Sequence, residues 1–476
     1  MDTKIDRVKI IEDEIIPIHP ALDFMRDLAI ITIPLPTQRL VGDKNKNIDL
    51  SVQQEYWVVT DKKDFFPLDT KELLDRNFYP TGTCYVMTNR WNYKDSLKLW
   101  LKDSVDIDPE ELFLGIKAIY EFYLDYIDPR LYTFNALWVI GTYFFPLFNA
   151  YPIVFLNGGS GSGKSKTIDV TEQLAFNAIN TANISDASIY RIIQGTRATL
   201  LLDENEKIAD SEEAKTLINL VLAGFKKGAK VIRLEKGKHQ DFIPTKFEVH
   251  CPKMIANIKG IHEEALKNRC IPFIMTPTQS DKSNNYPTGE EPEWQNIRNS
   301  LYIFTMNRWR EIGYVKKDIV ASKLGLNGYA FMLWQPILTI AKYLERFVGS
   351  RLLDEMASLA TEKTTERKTE LMENYDRQLL RTIRDMVQGD VSGIEGDGNK
   401  FFSSNLIYEN FKYALGFAED KLPNWFTPQR VGRMVNSLDV GKHKTEMIDS
   451  RQTRGFWIDK ERLNRVLGRF GIVDVC

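Results

Sequence analysis

The 476-residue sequence predicts an α/β fold: a parallel-sheet core carrying a phosphate-binding loop and a helical lid, with a small N-terminal α+β domain and a C-terminal winged helix. Three observations predict it. Gly158, Gly163, Lys164 and Ser165 fit G-x-x-x-x-G-K-[ST] between an apolar run, "PIVFLN", and a helical pattern, "SKTIDVTEQLAFNAI". Strand-like and helix-like segments alternate over residues 151–276, the pattern of a parallel sheet. Thirty-nine residues after Lys164, the apolar run "ATLLLDENE" ends in Asp203 and Glu204, one strand–helix–strand crossover away.

The elements follow in order. Residues 1–107 mix short β-type runs ("LAIITIPL", "EYWVVT", "TCYVMT") with turn signals, as an N-terminal α+β accessory domain would. A helical segment leads in over 108–150, with Asp108 as cap, Pro109 in the first turn, and Glu110 and Glu111 at the positive helix end. The apolar stretch Phe134–Leu156 is interrupted by Asn135, Pro146, Asn149 and Pro152, so it reads as buried helix, turn and buried strand, with no membrane span. The parallel-sheet core with the phosphate-binding loop is expected over 151–276, after a polar loop a helical lid over 277–388, a linker over 389–400 and a winged helix over 401–476. "FTPQRVGRMVNSL" places Thr427 as cap, Pro428 at the first helical position and Val431, Met434, Val435 and Leu438 on one face; "HKTEMID" and "RGFWID" follow, with "SRQT" between them as the wing.

Composition excludes little but bounds the partners. The chain is 43% hydrophobic and 27% charged with a formal net charge of -2, so nucleic acid can be held only by local basic patches. Four cysteines without a CxxC pair and five histidines argue against a zinc module and for reduced thiols in a cytoplasmic protein. The N-terminus has no uninterrupted apolar stretch of a signal peptide.

The glycine cluster points to a nucleoside triphosphate. Bare backbone at Gly158, Gly159, Ser160, Gly161, Ser162 and Gly163 lets consecutive N–H groups turn inward, and the helix N-terminus adds partial positive charge. Lys164 would reach the β- and γ-phosphates of ATP, Ser165 would offer its hydroxyl to Mg²⁺, and Lys166 completes the binding set. Asp203 would hold Mg²⁺, and Glu204 would orient and deprotonate water. "CPKMIANIKG" reads as a buried strand ending at Asn257, which would reach the γ-phosphate or water between the two motif strands, or serve as a turn residue. Arg269, just before a last strand, would serve a neighbouring subunit's γ-phosphate or cap its own helix.

This order of Gly158–Ser165, Asp203–Glu204, Asn257 and Arg269 on successive strands resembles the AAA+ ATPases. The segments "ISDASIYRIIQGTRATLLLDENE", "FKKGAKVIRLE" and "CPKMIANIKGIHEEALKNRCIPFIM" resemble replicative helicases of plasmids, phages and genomic islands, the MCM-like type, over about residues 130–345 and more loosely at the C-terminus. The resemblance implies a ring, usually a hexamer, with ATP between subunits, Asn257 as sensor 1 and Arg269 as a finger acting in trans. It departs from the family at the sensor 2 position, where Tyr329 aligns and Arg346 or Arg351 would have to substitute.

Two basic patches stand out. Lys226–Lys246 holds seven Lys/Arg against Glu235 and Asp241, a net of +5, and reads as a hairpin turning near Gly237. In the helicases it resembles, such a hairpin grips single-stranded DNA in the pore, which makes Lys236 and Lys238 the candidates; a solvated basic hairpin is the alternative. Lys421–Cys476 has eleven Lys/Arg against six acids, again +5. Gln429, Arg430 and Arg433 on its second helix would touch duplex DNA, unless the winged helix binds protein. "MTNRWNYK" places Arg90, Trp91, Tyr93 and Lys94 together, either to stack bases or, on the simpler reading, to fill a core. The expectation is an ATP-driven DNA translocase of a mobile element. The rivals are an AAA+ initiator or loader that changes shape on ATP binding, and a regulatory P-loop module whose winged helix binds a protein.

Overall fold

The computed structural model describes residues 15–42, 48–103, 105–180, 186–203, 212–236, 242–258, 264–372, 375–389, 391, 393–396, 398–417, 422, 426–448 and 450–472. The chain divides into two compact units, Met1–Lys363 and Thr364–Cys476.

At the centre of the first unit lie five parallel strands in the spatial order Cys270–Ile274, Ile153–Asn157, Lys253–Asn257, Leu200–Leu202, Ile179–Asn180. Each of the three middle strands is buried on both faces, which is why they read as unbroken apolar runs. The α/β class with a parallel sheet is therefore observed.

Helix Arg130–Thr142 is buried on every side from Leu131 to Thr142. It lies among helices Pro109–Tyr123 and Gly328–Val348, and Trp138 Nε1 donates to the Pro152 carbonyl, 3.2 Å away, at the start of the sheet. An all-round apolar helix is what a central position demands. Among the described residues no helix is long and apolar enough to cross a membrane. Asp108 caps helix Pro109–Tyr123 as its spacing predicts, accepting from the Glu110 amide at 2.8 Å.

The N-terminal residues form a four-stranded antiparallel sheet, Leu22–Met25, Leu28–Gly42, Ile48–Thr60 and Phe65–Pro67. They share one continuous hydrophobic core with the parallel sheet and the long helices that follow, including Leu22, Ile31, Val59, Trp91, Trp138, Phe155 and Trp334. The "MTNRWNYK" segment is part of that core. Trp91 is 0% exposed, stacks on Tyr302 at 5.1 Å and donates to Ser96 Oγ at 3.0 Å. It has no face left for a base. Arg90 turns inward as well, donating to the carbonyls of Glu172 (2.7 Å), Ala175 (3.3 Å) and Ala178 (3.1 Å) around the end of helix Lys164–Leu174.

In the second unit, helix Tyr375–Gln388 and helices Ser404–Ala414, Pro428–Leu438 and Lys460–Arg469 pack with an antiparallel sheet. The sheet order is Ile394–Gly396, Asn399–Ser403, Arg451–Ile458, Gly441–Ile448. The boundary thus falls earlier than the expected 389–400 linker. Leu379, Leu380, Ile383 and Met386 make one apolar stripe on helix Tyr375–Gln388 that joins the core of Phe402, Phe411, Val435, Phe456 and Leu463, and residues of the expected linker pair as strands. Strand pairing also runs to Ile448 opposite Arg451, so Arg451–Thr453 are strand where a wing was expected.

Candidate nucleotide site

The loop after strand Ile153–Asn157 enters helix Lys164–Leu174 through Gly163, whose φ of 86° is a left-handed conformation that disfavours any side chain. Gly158 is fixed by proximity: a Cβ there would meet the Met275 carbonyl oxygen at 2.2 Å, at the end of the neighbouring strand. Inside the loop, Ser162 Oγ donates to the Gly159 carbonyl at 2.8 Å. Lys164 is 6% exposed, and its Nζ donates to the carbonyls of Gly158 and Gly159, both at 2.7 Å, and to Ser162 Oγ at 3.3 Å. The ammonium is thereby folded back over the loop, next to the amides at the helix start.

A cavity of about 280 Å³ opens on this loop. Residues 160–166 form one wall; Tyr123, Leu124 and Asp125 at the end of helix Pro109–Tyr123 form another. The rim is completed by Ile258, Met275 and Thr276 and by Thr278, Lys282, Ser283 and Tyr286 of the loop after the last strand. That loop is held in place by polar contacts. Thr278 donates to Asp125, Asn285 Nδ2 donates to the Phe122 carbonyl at 2.9 Å, and Tyr123 donates to Glu291 Oε2 at 2.8 Å. Lys166 Nζ donates to the carbonyls of Lys282 and Ser283 at 3.1 and 2.9 Å and lies 4.7 Å above the Tyr286 ring; burial holds its ammonium below the usual lysine range. The sequence shows this segment only as a polar loop, and nothing in its composition signals a cavity wall.

Strand order delivers the other polar groups. The Asn257 strand lies between the loop's strand and the strand that ends before Asp203, with Asn257 level with Asn157 and Leu202 level with Ile255. Asn257 is 4% exposed at the strand's end, on the same edge of the sheet as the loop. Asp169, on helix Lys164–Leu174, escapes the sequence reading. Burial pushes its carboxyl above the usual range, and the negative charges of Asp203 and Glu172 push it the same way. Glu204 lies outside the described residues, as does Lys238.

Arg269 does not join this group. The Ile153 amide bonds its carbonyl at 3.3 Å, so it stands at the opposite edge of the sheet. Six strand positions, about 20 Å, separate it from Gly158, more than an arginine side chain spans. Its guanidinium donates to the Ala265 carbonyl at 2.6 Å and lies 6.0 Å from the Phe225 ring centre. Tyr329, at the position aligned with sensor 2, stacks on Phe225 at 5.8 Å. Arg346 lies over Tyr343, and Arg351 pairs with Asp354 at 3.9 Å.

The basic hairpin forms, with strands Lys230–Lys236 and Phe242–Glu248 paired from Lys230 opposite Glu248 to Lys236 opposite Phe242. In the second unit Thr427 caps helix Pro428–Leu438, and Gln429, Arg430 and Arg433 are exposed while Val431, Val435 and Leu438 are buried.

No family model matches the chain, and no curated protein matches it. Among solved structures it is similar to a protein described as SCCmec type IV Cch, an active helicase: 13% identity over 92% of this chain and 95% of that one, TM-score 0.42. It is similar to the apo C-terminal region of NrS-1, at 11% identity over 85% of this chain and 94% of that one, TM-score 0.36. It is also similar to the Orc1 protein of Aeropyrum pernix in complex with DNA, at 12% identity over 67% and 86%, TM-score 0.18. Each TM-score is below 0.5, so the functional reading rests on this chain's own residues.

Proposed function

We propose that the chain is an ATP-driven DNA translocase, a ring helicase serving replication of a mobile element, with ATP hydrolysed between subunits. One observation carries the reading. Three adjacent strands bring the phosphate loop, Asn257 and Asp203 to one edge of the sheet, while Arg269 stands at the other edge. An arginine so placed meets a γ-phosphate only when a second copy of the chain presents its own loop, and repetition of that contact closes a ring, expected to be a hexamer.

The loop amides and Lys164 would bind the triphosphate, the lysine exchanging the carbonyls of Gly158 and Gly159 for phosphate oxygens. Ser165 and Asp203 would hold Mg²⁺; a hydroxyl and a carboxylate are the hard oxygen donors that ion requires, and it would neutralise phosphate charge. Asn257 would position the attacking water, Glu204 would take its proton, and the neighbour's Arg269 would balance charge on the γ-phosphoryl group as it passes from ADP to water. Lys236 and Lys238 on the hairpin would hold single-stranded DNA in the pore. In the second unit, read as a winged helix, Gln429, Arg430 and Arg433 would meet duplex DNA.

The test is the ATPase rate with and without single-stranded DNA at two salt concentrations, beside a sizing column run with and without a slow-hydrolysing ATP analogue. A salt-sensitive stimulation and a ring-sized peak are expected. A DNA-indifferent rate with a ring would favour the ATP-switched initiator or loader. A monomer under both conditions would favour the regulatory module and overturn the ring.

A further inference from the structure

The segment that follows the last strand of the parallel sheet walls the nucleotide cavity but is not packed into the core. None of the described residues 276–291 is buried, and Tyr286 is 73% exposed. A segment without buried apolar contacts opens at low cost. Its two ends are firm. The Met275 amide donates to the Asn157 carbonyl at 2.6 Å. At the other end Trp294 is 1% exposed and its indole N–H donates to the Thr288 carbonyl at 2.7 Å, while the Thr288 amide and hydroxyl donate to Glu291 Oε1 at 3.1 and 2.9 Å.

Between those ends the hold is polar. Thr278 meets Asp125, Asn285 meets the Phe122 carbonyl, and the Lys282 ammonium lies 5.6 Å from the Tyr132 ring centre. These contacts tie the segment to the helices on one side. Towards the phosphate loop the tie is Lys166. Its ammonium donates to two carbonyls, 116 and 117 residues further along the chain, and stands over the ring of Tyr286. Hydrogen bonds from a charged donor are about twice as strong as neutral ones. The residue that the sequence groups with the phosphate binders is thus engaged in bridging two walls of the cavity, and those walls cannot part without breaking its bonds.

We infer that residues 276–291 are a strap across the nucleotide cavity, that Lys166 is its latch, and that release of this latch sets how fast a nucleotide enters and leaves. This rests on the reading of the cavity as a nucleotide site and adds control of exchange to it. A latch of this kind acts on the barrier and not on the bound state. It slows entry and escape together, whereas a residue that holds phosphate slows escape alone.

The experiment mixes the full chain with Mg²⁺ and a fluorescent ADP analogue in a stopped-flow instrument and reads the association and dissociation rates separately. Lys166→Met keeps the length of the side chain and loses its donors. It should raise both rates roughly tenfold, the worth of one charge-assisted hydrogen bond, and leave Kd within about threefold. Lys166→Arg, which can still donate to both carbonyls, should stay near the parent. Tyr286→Ala, at an exposed position that the fold does not need, should shift both rates in the same direction by a smaller factor. Amide hydrogen exchange over residues 281–286 should quicken in Lys166→Met and not in Lys166→Arg. Faster dissociation of Lys166→Met with unchanged association would make the lysine a phosphate ligand and overturn the latch. Unchanged rates in both Lys166→Met and Tyr286→Ala would overturn it too, and either result leaves the nucleotide-site reading standing. A wild-type chain that does not bind the analogue removes that reading and the latch with it.

Discussion

Gly158→Ala is the sharpest test of the loop's geometry. A methyl carbon there would sit 2.2 Å from the Met275 carbonyl oxygen and 2.8 Å from Ser162 Oγ. The first neighbour is backbone at the end of strand Cys270–Ile274, which is hydrogen-bonded along its length to the loop's own strand. Relief therefore requires the loop to lift or the end of that strand to move. Overpacking of this kind costs about 1–3 kcal/mol, or a few degrees in melting temperature for a unit of this size. If the loop lifts, the displaced amides and Lys164 also lose their common focus, and the same free energy appears as about 5- to 150-fold weaker nucleotide binding. Gly159→Ala is the control, since its methyl meets nothing within 4 Å; its stability should stay within about 0.5 kcal/mol of the parent. The assay is thermal unfolding with and without Mg²⁺ and a fluorescent ATP analogue. Gly158→Ala that melts and binds like the parent would refute the reasoning, because the loop would then not be pinned against the last strand.

Glu204→Gln should bind ATP and fail to turn it over; normal hydrolysis would move the base to another residue. Arg269→Ala, mixed with wild type, should depress the ATPase of the mixture by more than the mutant fraction, and strict proportionality would return the residue to its own helix, where it already bonds the Ala265 carbonyl. His19 and His250 are buried neutral, both held below the usual histidine range by desolvation, His250 at about 3. Their folded pKa values lie below the unfolded one, so the unfolded chain binds more protons and stability is full above about pH 6.5. Below that each histidine removes about 1.4 kcal/mol per pH unit, and denaturant titrations at pH 7.5 and 5.5 should differ accordingly; equal midpoints would contradict their burial.

The phosphate loop is legible because its chemistry is local. Glycine spacing, an apolar strand before it and a helix after it all fall within a short stretch, and the structure has each. Asn257 is legible for the same reason, being the last residue of an apolar run. What the sequence hides is set by long-range pairing. Trp91 is a core residue, as the simpler reading of its segment expects, but the sequence does not show its partners: it stacks on Tyr302, and the neighbouring Asn92 amide bonds Asn299. Helix Tyr375–Gln388 carries an apolar stripe that fits either flanking unit, and only the packing of Leu379 and Ile383 with Phe402 and Phe456 assigns it. On the hairpin, counting lysines finds the charge, but the exposed row of Ile232, Leu234 and Phe242 emerges only from the register.

The grip of Arg90 on the carbonyls of Glu172, Ala175 and Ala178 bears on how this chain can be cut. Those oxygens surround the tail of the helix whose head faces the phosphate loop, and Arg298 donates to the Gln173 carbonyl at 2.9 Å. Trimming away the first hundred or so residues to isolate an ATPase fragment would strip one of these two arginines and the Trp91 ring from the same spot. The fragment would keep every residue of the nucleotide site and lose the anchorage of the helix that aims it.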